Sequence, residues 1–108
     1  MAQQEMNLCA NRDFERADAE MNAQYRIMVA AMREADKEVD RKFDNQPLYY
    51  DTLLAAQRAW LTFRDQHCLL ASFESRGGSM QPMLESGCKA ELTRARTKQL
   101  KSQVETEN

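Results

Sequence analysis

Ala55-Ala56-Gln57-Arg58-Ala59-Trp60-Leu61-Thr62-Phe63-Arg64-Asp65-Gln66-His67-Cys68 holds the only Trp, the only His and one of the three Cys of a 108-residue chain. The stretch has no Gly, no Pro and no run of β-branched residues, so it reads as helix. On a helix, Leu53, Gln57, Trp60, Leu61, Arg64, Cys68 and Ala71 share one side at three- and four-residue steps. That side mixes a large aromatic, two aliphatics, a guanidinium and a thiol. A plain amphipathic helix would not place Arg64 one turn below its Trp. The stretch therefore reads as the centre of a small core with one buried polar contact and one covalent tie.

Upstream, Phe14, Ala17, Met21, Tyr25, Met28, Met32, Ala35, Val39 and Phe43 also recur at helical steps. They predict one long first helix, starting as early as Met6 and ended by Asp44-Asn45-Gln46-Pro47. Pro47 suits the first turn of a second helix, capped by Asn45 or Gln46 and running to Glu74. Ser75-Arg76-Gly77-Gly78-Ser79 is the clearest loop, with Ser79 a candidate cap for a third helix. That helix is predicted from Pro82 to Gln103, with Leu84, Cys88, Leu92, Ala95 and Gln99 inward and the tail from Val104 frayed. The expected fold is all-α: a three-helix antiparallel bundle with a long first helix, one domain over 1–108 with its ordered core at about 9–100.

Composition bounds the function. Hydrophobic residues make up 43% and charged residues 30%, which is a globular balance. The net charge of -2 offers no basic face for a phosphate backbone, so nucleic acid is not an expected partner. No apolar run approaches the roughly 20 residues of a membrane span. The start, Met1-Ala2-Gln3-Gln4, lacks the basic and apolar regions of a signal peptide. Two readings fit: a cytosolic protein, or a mature secreted form with an added initiator Met. In the first, lone Cys residues are buried and reduced; in the second, three Cys mean one disulfide and one spare thiol. Cys68 lies two turns before the glycines and Cys88 two turns after Ser79, which puts them at similar height in a helical hairpin. A Cys68–Cys88 bridge closes a loop of about 20 residues and contributes roughly 3 kcal/mol. Cys9 is then the free thiol.

Arg64 needs a partner if it is buried beside Trp60. Asp18 and Asn22, one turn apart beside the stripe of the first helix, are the expected partners, with an aromatic to stack on. A solvent-exposed Arg64 that snorkels past Trp60 is the alternative. Little points to catalysis. His67 and Cys68 are adjacent and so diverge on a helix, and a bridged Cys68 is inert. The carboxylates form solvated faces rather than isolated acids in apolar pockets. Gly77-Gly78 is too short for a phosphate loop and follows a helix. Met80 and Met83 with His67 could hold Cu(I), but a Met stripe at helical spacing is ordinarily core filler. No cofactor, no metal and no enzymatic activity are expected. The loop Arg76, Gly77, Gly78, Ser79 reads either as a connector or as a preorganised element for insertion into a partner's cleft.

Several segments taken together resemble the LprI-like family, small bacterial domains named for a mycobacterial lysozyme-inhibiting lipoprotein. They are Cys9-Ala10, Ala17 through Tyr25, Ala56 through Asp65 with Cys68, Gly77-Gly78-Ser79, Cys88, and Leu92-Thr93 with Arg96-Thr97 and Leu100. The resemblance implies an exported, helical, non-enzymatic domain of the periplasm or cell envelope, displayed after signal-peptide removal. It does not by itself fix the activity. The leading reading is a lysozyme-binding, inhibitor-like protein that occludes the substrate cleft sterically, with Arg76, Gly77, Gly78 and Ser79 as the contact loop. An envelope adaptor or stress-related interaction module that uses helix faces is the rival, and a Cu(I)-binding protein the third reading. Long amphipathic helices pair within or between chains alike, so monomer and homodimer both fit the sequence.

Overall fold

Apolar residues one turn apart carry the first helix, α1, through Gln3–Asp36 in the computed structural model, which describes residues 1–107. Its buried stripe is Ala17, Met21, Met28 and Met32. The second helix, α2, spans Tyr49–Ser72 and runs into a single 3-10 turn, Phe73–Ser75. The third, α3, spans Gln81–Glu107. No strand occurs among the described residues. Gln3 lies beside Met83 and Asp13 beside Arg94, so α1 and α3 run parallel, with α2 antiparallel to both. α1 and α3 pack most extensively. The bundle is elongated, 60 × 21 × 15 Å.

The apolar stripe by itself extends the first helix to Phe43, and Pro47 would start the second; the structure shortens both. Asp36, Asp40 and Asp44 explain the difference. Each turns its carboxylate onto backbone N–H groups instead of leaving them to a helical ladder. Asp40 accepts from Lys42 N–H at 3.0 Å and Asp44 from Gln46 N–H at 2.9 Å. Asp36, the last residue of α1, accepts from Tyr49 N–H at 2.7 Å and Tyr50 N–H at 3.1 Å. The first turn of α2 is therefore capped from the end of α1, not by Asn45 or Gln46. A carboxylate there also favours the positive end of the α2 dipole. Phe43 consequently points into solvent.

The apolar core is Met21, Met28, Met32, Leu53, Leu100 and Val104, with Tyr25, Tyr50, Trp60 and Leu61 packed against it. Met21 and Leu100 have lost essentially all their exposure, each contributing about 1.5–3 kcal/mol of transfer free energy. α3 is rotated relative to the orientation expected from its sequence. Ala90, Thr93, Leu100 and Val104 are buried, whereas Ala95 and Gln99 are exposed and Leu84, Cys88 and Leu92 are half-buried. The reason is polar. Thr93 is carried inward to meet Arg64, and its Oγ1 accepts from Arg64 Nη1 at 3.3 Å. The fraying expected from Val104 is also overturned: α3 continues to Glu107, because Val104 closes the core. Asn108 lies outside the described residues. On α2, Ala71 is exposed and Ser72 takes the buried position, its hydroxyl donating to Leu69 O.

The Cys68–Cys88 disulfide joins α2 to α3 with a Cα–Cα distance of 5.4 Å. Cys68 is completely buried, and Cys9 is an exposed free thiol. No helix among the described residues is long and apolar enough to cross a membrane.

Candidate functional site

Arg64 holds a polar layer between the disulfide and the methionine-rich core. Its side chain keeps only 8% exposure. Nη1 lies 3.1 Å from Asp18 Oδ1, and Nε lies 2.9 Å from Asp65 Oδ1. The guanidinium carbon sits 5.0 Å from the Phe14 ring centre and 5.4 Å from that of Trp60. Asn22 joins through Asp18: its Nδ2 donates to Asp18 Oδ2 at 3.5 Å, on the carboxylate that Arg64 meets through Oδ1. Beside this layer, buried Gln57 reaches Met21 Sδ at 3.6 Å and accepts from Arg96 Nε at 3.0 Å. No buried side-chain nitrogen or oxygen among the described residues lacks a partner. The charge of Arg64 is thus met within the layer by Asp18 and Asp65.

The layer fixes α2 against α3, and the disulfide fixes them again nearer the loop between them. Arg76, Gly77, Gly78 and Ser79 are all exposed at this end of the bundle. Gly77 has φ +77°, a left-handed conformation that costs other residues roughly 1–2 kcal/mol. A Cβ on Gly78 would stand 3.2 Å from the Ser75 carbonyl oxygen, to which Gly78 N–H already donates at 2.8 Å. Gln81 stitches the loop from α3: its Oε1 accepts from Gly77 N–H at 2.9 Å and its Nε2 donates to Ser72 Oγ at 3.1 Å. Asn7 of α1 donates to the Ser79 carbonyl at 2.9 Å. Arg76 lies over the Phe73 ring at 4.3 Å. The result is an exposed tip with its backbone bonded to side chains of α1 and α3, the latter braced in turn on Ser72 of α2, and one cation at its edge.

Asn7 and Gln81 carry no signal in the sequence that would single them out, and the stripe and the resemblance that hold Phe14 and Thr93 do not reveal their contact with Arg64; each matters through a partner in another helix or in the loop. Arg94 is similar. It forms a two-pronged pair with Asp13, at 2.5 and 3.0 Å, and this bond holds the Asp13 carboxyl below its ordinary pKa. Of the residues weighed for Cu(I), Met83 Sδ is approached by Gln3 Nε2 at 3.7 Å, His67 stacks on Phe63 at 5.1 Å, and Met80 is exposed.

Comparison with known proteins adds two findings. The family described as "Lysozyme inhibitor LprI" matches residues 1–100. An uncharacterized protein of Rhizobium meliloti (strain 1021) is 51% identical over 109 residues, covering 98% of this chain and 76% of that protein. No solved structure matches.

Proposed function

The chain belongs to the LprI family, and from that premise we propose that it is an exported protein-binding domain that inhibits lysozyme by occluding its substrate cleft. Arg76, Gly77, Gly78 and Ser79 form the inserted tip. The observation that carries this reading is the restraint on an exposed loop: hydrogen bonds from Gln81 and Asn7 hold Gly77 and Ser79, and the disulfide stands behind them. A loop already ordered when free loses little entropy on insertion. Lysozyme-type hydrolases work with two carboxylates flanking the scissile bond. A guanidinium at the tip complements such a pair with several fixed donors. The overall charge of -2 favours encounter with a basic lysozyme. An exported setting also suits the Cys68–Cys88 bridge, which reducing cytosol would open.

The test is cell-wall hydrolysis by several lysozyme types with this protein in excess. The expected result is a saturable loss of rate with at least one type; undiminished rates with all of them reject the function. Arg76→Ala should weaken inhibition roughly tenfold, about the loss of one charge-assisted contact. An unchanged inhibition constant would reject the loop assignment alone.

A second reading rests on a different surface. Phe63 and Leu70 are 53% and 67% exposed on the outer side of α2, with His67 stacked between them in sequence on Phe63. That stripe suits an envelope adaptor that binds through a helix face. Capture from periplasmic extract separates the two: retention of an envelope protein that Phe63→Ser releases, with no lysozyme retained, favours the adaptor.

A further inference from the structure

At the end of the bundle away from the Gly77 loop, the three helices and the connection after α1 leave a cavity of about 460 Å³. Met28 and Met32 of α1, Val39 of the connection and Leu53 and Ala56 of α2 supply apolar wall; Arg96 of α3 supplies a cation. A site of this size and mixture suits a small amphiphilic ligand. Methionine side chains adapt to an irregular apolar occupant.

Arg96 is half-buried, and burial pushes its pKa down. Its protein partners are neutral: Nε donates to Gln57 Oε1 at 3.0 Å and Nη1 to Gln99 Oε1 at 3.2 Å. Trp60 lies beneath it at 5.8 Å. Arg16, Arg64 and Arg94 each meet a carboxylate, whereas Arg96 forms no ion pair among the described residues. A guanidinium stays charged at neutral pH, and a partly desolvated charge is stabilised by an opposite one.

The charges also set a direction. Arg96 is held by Gln57, which touches Met21. From the level of Met21 to that of Met32 is about 16 Å at ~1.5 Å per helical residue. Asp44 lines the cavity from the connection, beyond the end of α1. One end therefore attracts an anion and the middle is apolar. The other end carries both Asp44 and Arg41, whose Nη1 donates to the carbonyl of the lining residue Gln46 at 2.7 Å, so the half-buried Arg96 is what selects the head group. We propose that this cavity binds a single-chain amphiphile with one carboxylate head group, the head on Arg96 and the alkyl chain over Met28 and Met32. This site is separate from the Gly77 loop and stands or falls independently of lysozyme inhibition.

The experiment is calorimetric titration of the purified chain with dodecanoate below its micelle concentration, beside 1-dodecanol and dodecylamine. Dodecanoate should bind at one site, roughly tenfold or more tighter than the alcohol, with the amine weakest. Arg96→Gln should bring dodecanoate down to the level of dodecanol, and Arg96→Lys should keep the preference. Ala56→Phe, at an exposed position in the wall, should weaken both dodecanoate and dodecanol while thermal melting stays unchanged. No saturable binding of dodecanoate, or equal binding of the alcohol by the unaltered protein, overturns the proposal.

Discussion

Asp18→Ala removes the carboxylate that lies 3.1 Å from Arg64 Nη1 and joins α1 to α2. Asp65 at 2.9 Å and the Thr93 hydroxyl at 3.3 Å remain. Removing one partner of a fully buried ion pair costs roughly 3–5 kcal/mol. Two features lower that here. The Asp18 side chain keeps 35% exposure, and Asp65 leaves the guanidinium a counter-charge. A hydrogen bond to a charged group contributes about 1.5–3 kcal/mol, and the lower end applies, so the expected loss is about 1.5–2 kcal/mol. For a domain of this size that lowers Tm by roughly 6–12 °C. Asp65→Ala should cost less, about 0.5–1 kcal/mol, because its side chain is 48% exposed. Once Arg64→Met has removed the charge, Asp18→Ala should cost little further. The double-mutant cycle then yields a coupling of about 1–1.5 kcal/mol. Urea unfolding followed by Trp60 fluorescence measures all four proteins, since Trp60 is the sole Trp and lies against the guanidinium. An Asp18→Ala protein within about 0.5 kcal/mol of the parent, with no coupling, would refute the reasoning: the contact between α1 and α2 would then contribute nothing to stability.

Reducing the Cys68–Cys88 bridge, which spans 20 residues, should cost about 3 kcal/mol, read as a fall in urea midpoint. Thiol titration of the unreduced protein should find one reactive thiol, Cys9; three would contradict the bridge. Asp36→Ala should destabilise by about 1 kcal/mol and Asp36→Asn by much less. Amide exchange at Tyr49 and Tyr50 should quicken in the Ala variant, and unchanged protection there would dismiss the cap. The Asp13 carboxyl has its pKa lowered below 3.8, chiefly by the hydrogen bond from Arg94. A depressed folded pKa means stability present above the unfolded value and lost as pH falls through the folded one. Asp13→Asn should therefore differ from the parent at neutral pH and converge with it below about pH 3.8, by melting temperature; a gap that widens in acid would reverse the sign.

Helical periodicity was enough to find three helices, because a stripe such as Ala17, Met21, Met28 and Met32 must lie on one side of α1 whatever it packs against. The Asp36, Asp40, Asp44 series was also visible at four-residue spacing, and it marks where α1 stops. Its meaning was not legible, since the same spacing also fits an exposed helix face. The carboxylates break the ladder only because Tyr49 and Tyr50 fold back within reach of Asp36. The loop at Gly77 was legible as a loop from its glycines alone. Its restraint was not, because Asn7 and Gln81 reach it from separate helices.

What the sequence by itself determined is therefore local: helix content, the two reversals, and a Cys pair at matching heights on a hairpin. These arise from backbone sterics and side-chain period, which act over a few residues. Tertiary structure alone decided the rotation of α3, the burial of Thr93 and Val104, and the cavity beside Arg96. Those depend on which polar atoms need partners after collapse. A buried guanidinium at Arg64 draws an acceptor inward from another helix, and no hydrophobic pattern along α3 encodes that demand.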